Sequence, residues 1–314
     1  MKKGLIFGII GDFFVGFQPI VANSRPQSLD ALIFAAMTCL VEAIIFFPVM
    51  IIELKMSSLK HNKENTMSTL IKSTIQNWKS NFWLLIFIGF IFGINQLLFF
   101  IGYRLAGAIN GSLTQKTTVF FGLIFGFLIL KEKITKTQII FSITLFFGLV
   151  LAITQGSFNL KGFNFNIILG VLTLLIITCL WMFGHTVTKP IFNRDEASPT
   201  QMVFLRNILS GVILFIAFLI FTPPTGLDIF LDPVNNFYFL SMGAVYGIGL
   251  FCWYKTLSYL DVSKATIIFS PTPIVTALFS VFILNESFTI FHLIGTIIVI
   301  LSIIIIVNQQ KTIK

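Results

Sequence analysis

The chain has 314 residues, of which 56% are hydrophobic and only 11% charged, more apolar surface than a water-soluble globule can hide. Most of it must face lipid. The net charge of +9 is confined to short connections between apolar runs, without the continuous basic face that a nucleic-acid partner requires.

Ten apolar runs follow one another, near Gly4–Ala22, Ala31–Ile52, Asn81–Ile101, Ala108–Leu130, Gln138–Ile153, Asn166–Val187, Gln201–Phe221, Phe237–Leu257, Ala265–Leu284 and Phe291–Val307. Their lengths predict membrane-spanning helices, the fifth being the shortest. Met1-Lys2-Lys3 before an apolar stretch also opens secretory signals, but Asp12 interrupts the stretch and Pro19 to Asn23 makes a poor cleavage site. The first run is therefore expected to be a retained helix. The polar connection Glu53–Ser80 carries Met67, Leu70, Ile71, Thr74 and Ile75 at helical spacing, with Trp78 suited to an interface. It reads as a short surface helix or a tether near anionic lipid.

Two long segments answer one another. Tyr103–Thr135 and Tyr254–Thr289 each begin with Tyr and a cation, pass a small-residue turn, run apolar and stop at an acid. A shift of 154 positions, the separation of Glu132 and Glu286, superposes Phe125 on Phe279, Ile129 on Ile283, Leu130 on Leu284 and Thr135 on Thr289. A second echo pairs Phe17–Asn23, around Pro19, with Thr188–Asn193, around Pro190, where a missing N–H ends or kinks a helix. The chain thus divides into residues 1–155 and 156–314, five spans each.

The loop cations set an orientation. With the N-terminus inside, only Arg25, Arg104 and Lys161 fall outside, so both termini are expected to be cytoplasmic. An odd number of spans per half makes the second repeat inverted relative to the first.

Catalysis and metal binding find no support. The sequence contains no phosphate-cradling glycine loop and no HExxH. Cys39, Cys179 and Cys252 sit singly in apolar runs and read as small buried hydrophobes. No cofactor is implied, and without an ATP-binding domain any pumping must draw on gradients or exchange.

The tyrosine–small-residue–apolar–acid segments, the Pro271/Pro273 pair, Glu132, Glu286 and ten spans in two halves resemble the drug/metabolite transporter superfamily, EamA type. They are similar, more distantly, to the triose-phosphate and nucleotide-sugar translocators. The resemblance implies an all-α membrane protein of two inverted five-helix repeats. Spans one, three, four, six, eight and nine would surround a cavity, five and ten would sit to one side, and the halves would rock to open the cavity alternately. Thr117 stands where the family usually has proline, so the resemblance does not carry a bend to the fourth span.

Candidate functional residues are the polar groups at depth, because a charge in hydrocarbon costs at least ~2.5 kcal/mol unless paired, hydrated or snorkelling. Asp12, Glu42, Lys116 and Arg206 are those charges, and they sum to zero. Lys116, after Gln115 in a span that the resemblance puts on the cavity wall, suits a carboxylate, phosphate or sulfonate of a solute; the alternatives are snorkelling or an internal pair. Asp12 suits a proton carrier or a static pair with Lys116. Glu42 is a second candidate for proton coupling, or a structural partner of Arg206, itself read as an anchor. Asn95 and Gln96 lie mid-span, and the offset from Tyr103 to Tyr254 carries Asn95 onto Tyr246. Trp181 and His185, one turn apart, offer an aromatic wall and a titratable ring, or simple packing. Glu132 and Glu286 read as caps or gates. Gly89, Gly93, Gly122 and Gly126 allow close helix approach.

Together with these residues, the resemblance implies secondary transport of a small polar metabolite, an amino acid or related organic anion, with efflux as the direction common in the resembled family. Uptake of a sugar or sugar phosphate is the alternative within transport, and a non-transporting lipid-handling or assembly subunit is the alternative outside it. The partners are a small solute, membrane lipid and, in the coupled case, protons. Oligomeric state is open between monomer and homodimer.

Overall fold

The computed structural model describes residues 2–60, 67–131, 133–157, 164–194, 196–222, 224–259, 265 and 267–310. Among them the fold is all helical: α1 (Lys2–Ser24), α2 (Ala31–Lys60), α3 (Met67–Ser80), α4 (Phe82–Ala106), α5 (Ala108–Gln115), α6 (Thr118–Leu130), α7 (Lys136–Thr154), α8 (Phe165–Asn193), α9 (Pro199–Phe221), α10 (Pro233–Tyr259), α11 (Thr272–Phe279) and α12 (Ile290–Gln310). A 3₁₀ segment, Pro224–Phe230, precedes α10, and a π-turn, Ser280–Leu284, prolongs α11. Nine helical segments among the described residues are long and apolar enough to cross a membrane, with Ala108–Ile129 counted as one. The shorter apolar Thr272–Leu284 supplies most of the ninth expected run. The amphipathic stretch forms α3.

The duplication extends to backbone detail. Lys131 and Asn285, one residue before Glu132 and Glu286, are both left-handed, with φ of 58° and 54°. Each ends its helix by donating its N–H to the fifth residue back, Gly126 and Ser280 respectively. The next helices also start alike. Thr135 and Gln138 form a reciprocal cap on α7, with the Thr135 N–H on Gln138 Oε1 at 2.9 Å and the Gln138 N–H on Thr135 Oγ1 at 3.2 Å. At the corresponding start of α12, Thr289 N–H donates to His292 Nδ1 at 3.1 Å and His292 N–H to Thr289 Oγ1 at 3.4 Å.

The fourth span is interrupted although it lacks the proline. Between α5 and α6 the N–H groups of Lys116 and Thr117 bond three residues back, to Leu113 and Thr114, rather than four. Thr117 Oγ1 reinforces the turn by donating to Thr114 O at 2.8 Å and lies 3.0 Å from Thr178 Oγ1 of α8. The ninth run turns at the same repeat position: Ser270 N–H bonds to Ile267 O, and Ile274 N–H to Pro271 O.

The described chain forms two compact units. One comprises residues 1–26, 98–186 and 248–314. Here α7 packs on α12, and the contact depends on two glycines: a Cβ on Gly295 would lie 2.5 Å from Gly148 O, and one on Gly148 would lie 2.7 Å from Ile298 Cγ2. A second contact joins α1 to α11 in the same way. A Cβ on Gly8 would strike Ile268, on Gly11 Phe269 and Cys252, and on Gly16 Val275. Small residues replace the missing hydrophobic effect in lipid by letting backbones approach.

The other unit comprises residues 27–97 and 187–247. Its main contact is α2 on α9. Gly89 and Gly93 of α4 admit Leu209 and Ser210 of α9, and Ser210 Oγ donates to Gly89 O at 2.7 Å. At one end, Arg194 Nε donates to Glu196 Oε1 at 2.7 Å and Asn81 Nδ2 to Glu196 Oε2 at 2.9 Å.

Candidate functional site

In the first unit, the side chains of Lys116 and Asp12 meet through Thr272. Pro273 has no N–H, so the carbonyl of Phe269, four residues earlier, has no helical donor. Lys116 Nζ fills that role at 2.6 Å and also donates to Thr272 Oγ1 at 2.7 Å. Thr272 Oγ1 lies 2.5 Å from Asp12 Oδ1 and 2.6 Å from Phe269 O, and its single hydrogen goes to the carboxylate, the stronger acceptor. Asp12 and Thr272 are 6% and 3% exposed, so this relay is shielded by protein. The glycine stripe of α1 brings Asp12 here: Thr276 Oγ1 donates to Gly16 O at 2.8 Å, one turn beyond. Asp12 and Lys116 are thus linked by one intervening hydroxyl.

Gln115, beside Lys116, has a buried Nε2 with no hydrogen-bond partner among the described residues. Trp181 is half-buried, its ring 6.2 Å from that of Phe99, and His185 is half-buried one turn further along α8.

Glu286 reaches the start of α5. Its Oε1 accepts the Ala108 N–H at 2.6 Å and its Oε2 the Ile109 N–H at 3.0 Å. The residue before, Gly107, has φ of 80° and no side chain, so the free N–H groups of this helix end are capped from a distant segment. Glu132 lies outside the described residues. At the next residue of α5, Asn110 Oδ1 lies 3.2 Å from His292 Nε2. Because His292 Nδ1 accepts the Thr289 N–H, Nε2 carries the hydrogen and donates to Asn110.

In the second unit, Asn95 is fully buried mid-span in α4, and neither Nδ2 nor Oδ1 has a partner among the described residues. Gln96, 4% exposed, likewise has an unpartnered Nε2. Glu42 of α2 takes Asn207 rather than Arg206 as its hydrogen-bond partner, with Asn207 Nδ2 donating to Glu42 Oε2 at 2.8 Å. Glu42 Oε1 is buried and has no hydrogen-bond partner among the described residues. Arg206 instead sets its guanidinium over the Phe92 ring at 4.4 Å, one helical turn from Gln96. Tyr246 is buried, at 5% exposure.

Sequence reasoning found the charged groups but not Thr272, which joins Lys116 to Asp12, nor the Asn110–His292 pair. Two signals were available: Pro273 identifies Phe269 as a carbonyl in need of a donor, and Gly8, Gly11 and Gly16 mark the face of α1 that another backbone approaches. An apolar groove on α6 and α7 offers no comparable chemistry. Its polar members Gln138 and Ser142 already bond to Ile306 O and Gln138 O.

A family model described as the EamA-like transporter family matches residues 2–154 and again 165–308. The chain is 26% identical over 216 residues to "Uncharacterized transporter YyaM" of Bacillus subtilis (strain 168), covering 68% of each. It is 23% identical over 316 residues to an "Uncharacterized transporter" of Clostridium kluyveri, covering 99% of this chain and 95% of that protein. A solved crystal structure superposes with a TM-score of 0.66 at 12% identity, over 100% of this chain and 99% of its own, a likeness of fold. Two matches that together span nearly the whole sequence, on helices built twice to one pattern, establish that this chain belongs to the EamA-like transporter family.

Proposed function

We propose that the protein is a secondary transporter that exports a small polar metabolite, an amino acid or related organic anion, across the cytoplasmic membrane by alternating access. The reading treats residues 1–155 and 156–314 as inverted repeats with both termini in the cytoplasm, following the distribution of loop lysines. The observation that carries it is Asn95: a fully buried amide at mid-span with both polar atoms unpartnered among the described residues. Such a group costs about 1–3 kcal/mol, and a polar solute or its water relieves that cost.

In one unit Gln96 joins Asn95 as a candidate solute contact, with Tyr246 as a further wall residue; in the other unit Gln115 is the candidate contact, with Trp181 and His185 as wall residues. Lys116 has three ammonium hydrogens, two of them engaged, which leaves one for an anionic group. Asp12 and Glu42 are the candidate proton carriers. Arg206, Glu286 and Glu132 hold helices or gates.

The test is a thermal-shift screen of purified protein against amino acids, organic anions, sugar phosphates and organic cations, followed by flux of the hits in proteoliposomes. An amino acid or organic anion should stabilise the protein and be transported, and Asn95→Leu should lose both effects while staying folded. Undiminished flux through Asn95→Leu removes the amide from the mechanism. A sugar phosphate as sole hit selects the other substrate class, and no hit with no flux favours a non-transporting subunit.

A further inference from the structure

The surroundings of the Lys116 ammonium are those of a metal-cation site. Its acceptors are a main-chain carbonyl, Phe269 O, released from the helix by Pro273, and a hydroxyl, Thr272 Oγ1. A carboxylate, Asp12, stands one hydrogen bond behind and supplies the single negative charge. Carbonyls freed where a membrane helix unwinds, together with hydroxyl and carboxylate oxygens, form the donor set that binds sodium in transporters with broken helices. Hard oxygen donors with one formal negative charge suit a monovalent rather than a divalent ion.

The amine is the element that the duplication does not repeat. The 154-position shift places Ser270 opposite Lys116 and Pro271 opposite Thr117, so the two turned segments are alike in backbone and differ in which one carries a charge. Lys116 spans from one turn into the other.

We propose that this is a monovalent-cation site formed by Phe269 O, Thr272 Oγ1 and Asp12, in which the Lys116 ammonium serves as a tethered cation in place of a free ion. The native protein then needs no sodium at this position. Removing the amine leaves the oxygens and the charge of Asp12 exposed to whichever small cation fits. The inference concerns ion binding and is read without a solute, so it stands or falls separately from the transport reading.

The experiment compares melting temperatures in sodium, potassium and choline chloride at equal ionic strength. Wild type should not distinguish the salts. Lys116→Met, which keeps the stem and removes the charge, should gain a saturable stabilisation by sodium or potassium over choline, on the order of 5 °C at saturation. Adding Asp12→Asn should abolish it. Lys116→Ala leaves a hole the size of the stem, and butylammonium should stabilise that variant where tetramethylammonium does not. A Lys116→Met protein folded only in sodium or potassium also supports the site. Folded variants indifferent to every cation overturn it, as do variants that stay unfolded in all of them.

Discussion

The carboxylate of Glu286 caps a helix that begins at Ala108, 178 residues earlier in the chain, with an N–H to Oε1 distance of 2.6 Å. Charge-assisted bonds to two N–H groups, placed at the positive end of α5, are worth more than neutral ones. Glu286→Ala should cost about 1–3 kcal/mol, seen as a lower melting temperature in detergent, and Glu286→Gln should recover part of the loss because it keeps one acceptor oxygen. Equal melting of all three proteins would falsify the capping role.

Asn95→Leu should act in the opposite direction on stability. Replacing an amide that lacks partners by an apolar side chain of similar size removes a desolvation cost, so the solute-free variant should be as stable as wild type or more so, by about 1 kcal/mol. Calorimetry without solute checks this. A clear destabilisation would mean that the amide is satisfied in the folded protein.

The contact of α7 with α12 should tolerate no methyl group. Gly295→Ala places Cβ against the backbone oxygen of Gly148, where nothing flexible can yield, and should cost about 1–3 kcal/mol. Gly122→Ala is the control: among the described residues its Cβ would meet only the terminal methyl of Met182, at 3.1 Å, which can rotate away. Chemical denaturation of both variants, side by side with wild type, measures the contrast, and equal losses would refute it.

Glu196 gives a pH signature outside the membrane spans. The Arg194 guanidinium, and after it the Asn81 amide, hold its carboxyl below the ordinary carboxylate range. A carboxyl lowered in the folded state stabilises above its unfolded value and loses that contribution as the pH falls through the folded value. Wild type should therefore melt slightly above Glu196→Gln at neutral pH, and the gap should close on acidification below about pH 4. The pair is exposed, so the gap is small. A gap independent of pH would assign the effect to packing.

Much of the fold was legible in the sequence because lipid imposes a simple rule on composition and length. The spans, the amphipathic α3 and the repeat at 154 positions all follow from side-chain polarity read along the chain. The turn at Lys116–Thr117 was not legible from proline, since Thr117 holds it with a side-chain bond to Thr114 O instead. The αL ends at Lys131 and Asn285 were equally silent, because neither residue is the glycine that usually marks such a position.

For the candidate site, the price of burying charge identified Asp12, Glu42, Lys116 and Arg206, but that price requires only that some compensation exist. It does not name the partner. Thr272 between Lys116 and Asp12, Asn207 rather than Arg206 on Glu42, and the Ala108 and Ile109 N–H groups on Glu286 are pairings across more than a hundred residues of chain. The sequence by itself determined that this protein lives in the bilayer as one module used twice, since solvent and periodicity act on each segment alone. Tertiary structure decided which buried donor meets which acceptor, because that depends on where glycines let helices touch and on which carbonyls a proline leaves free.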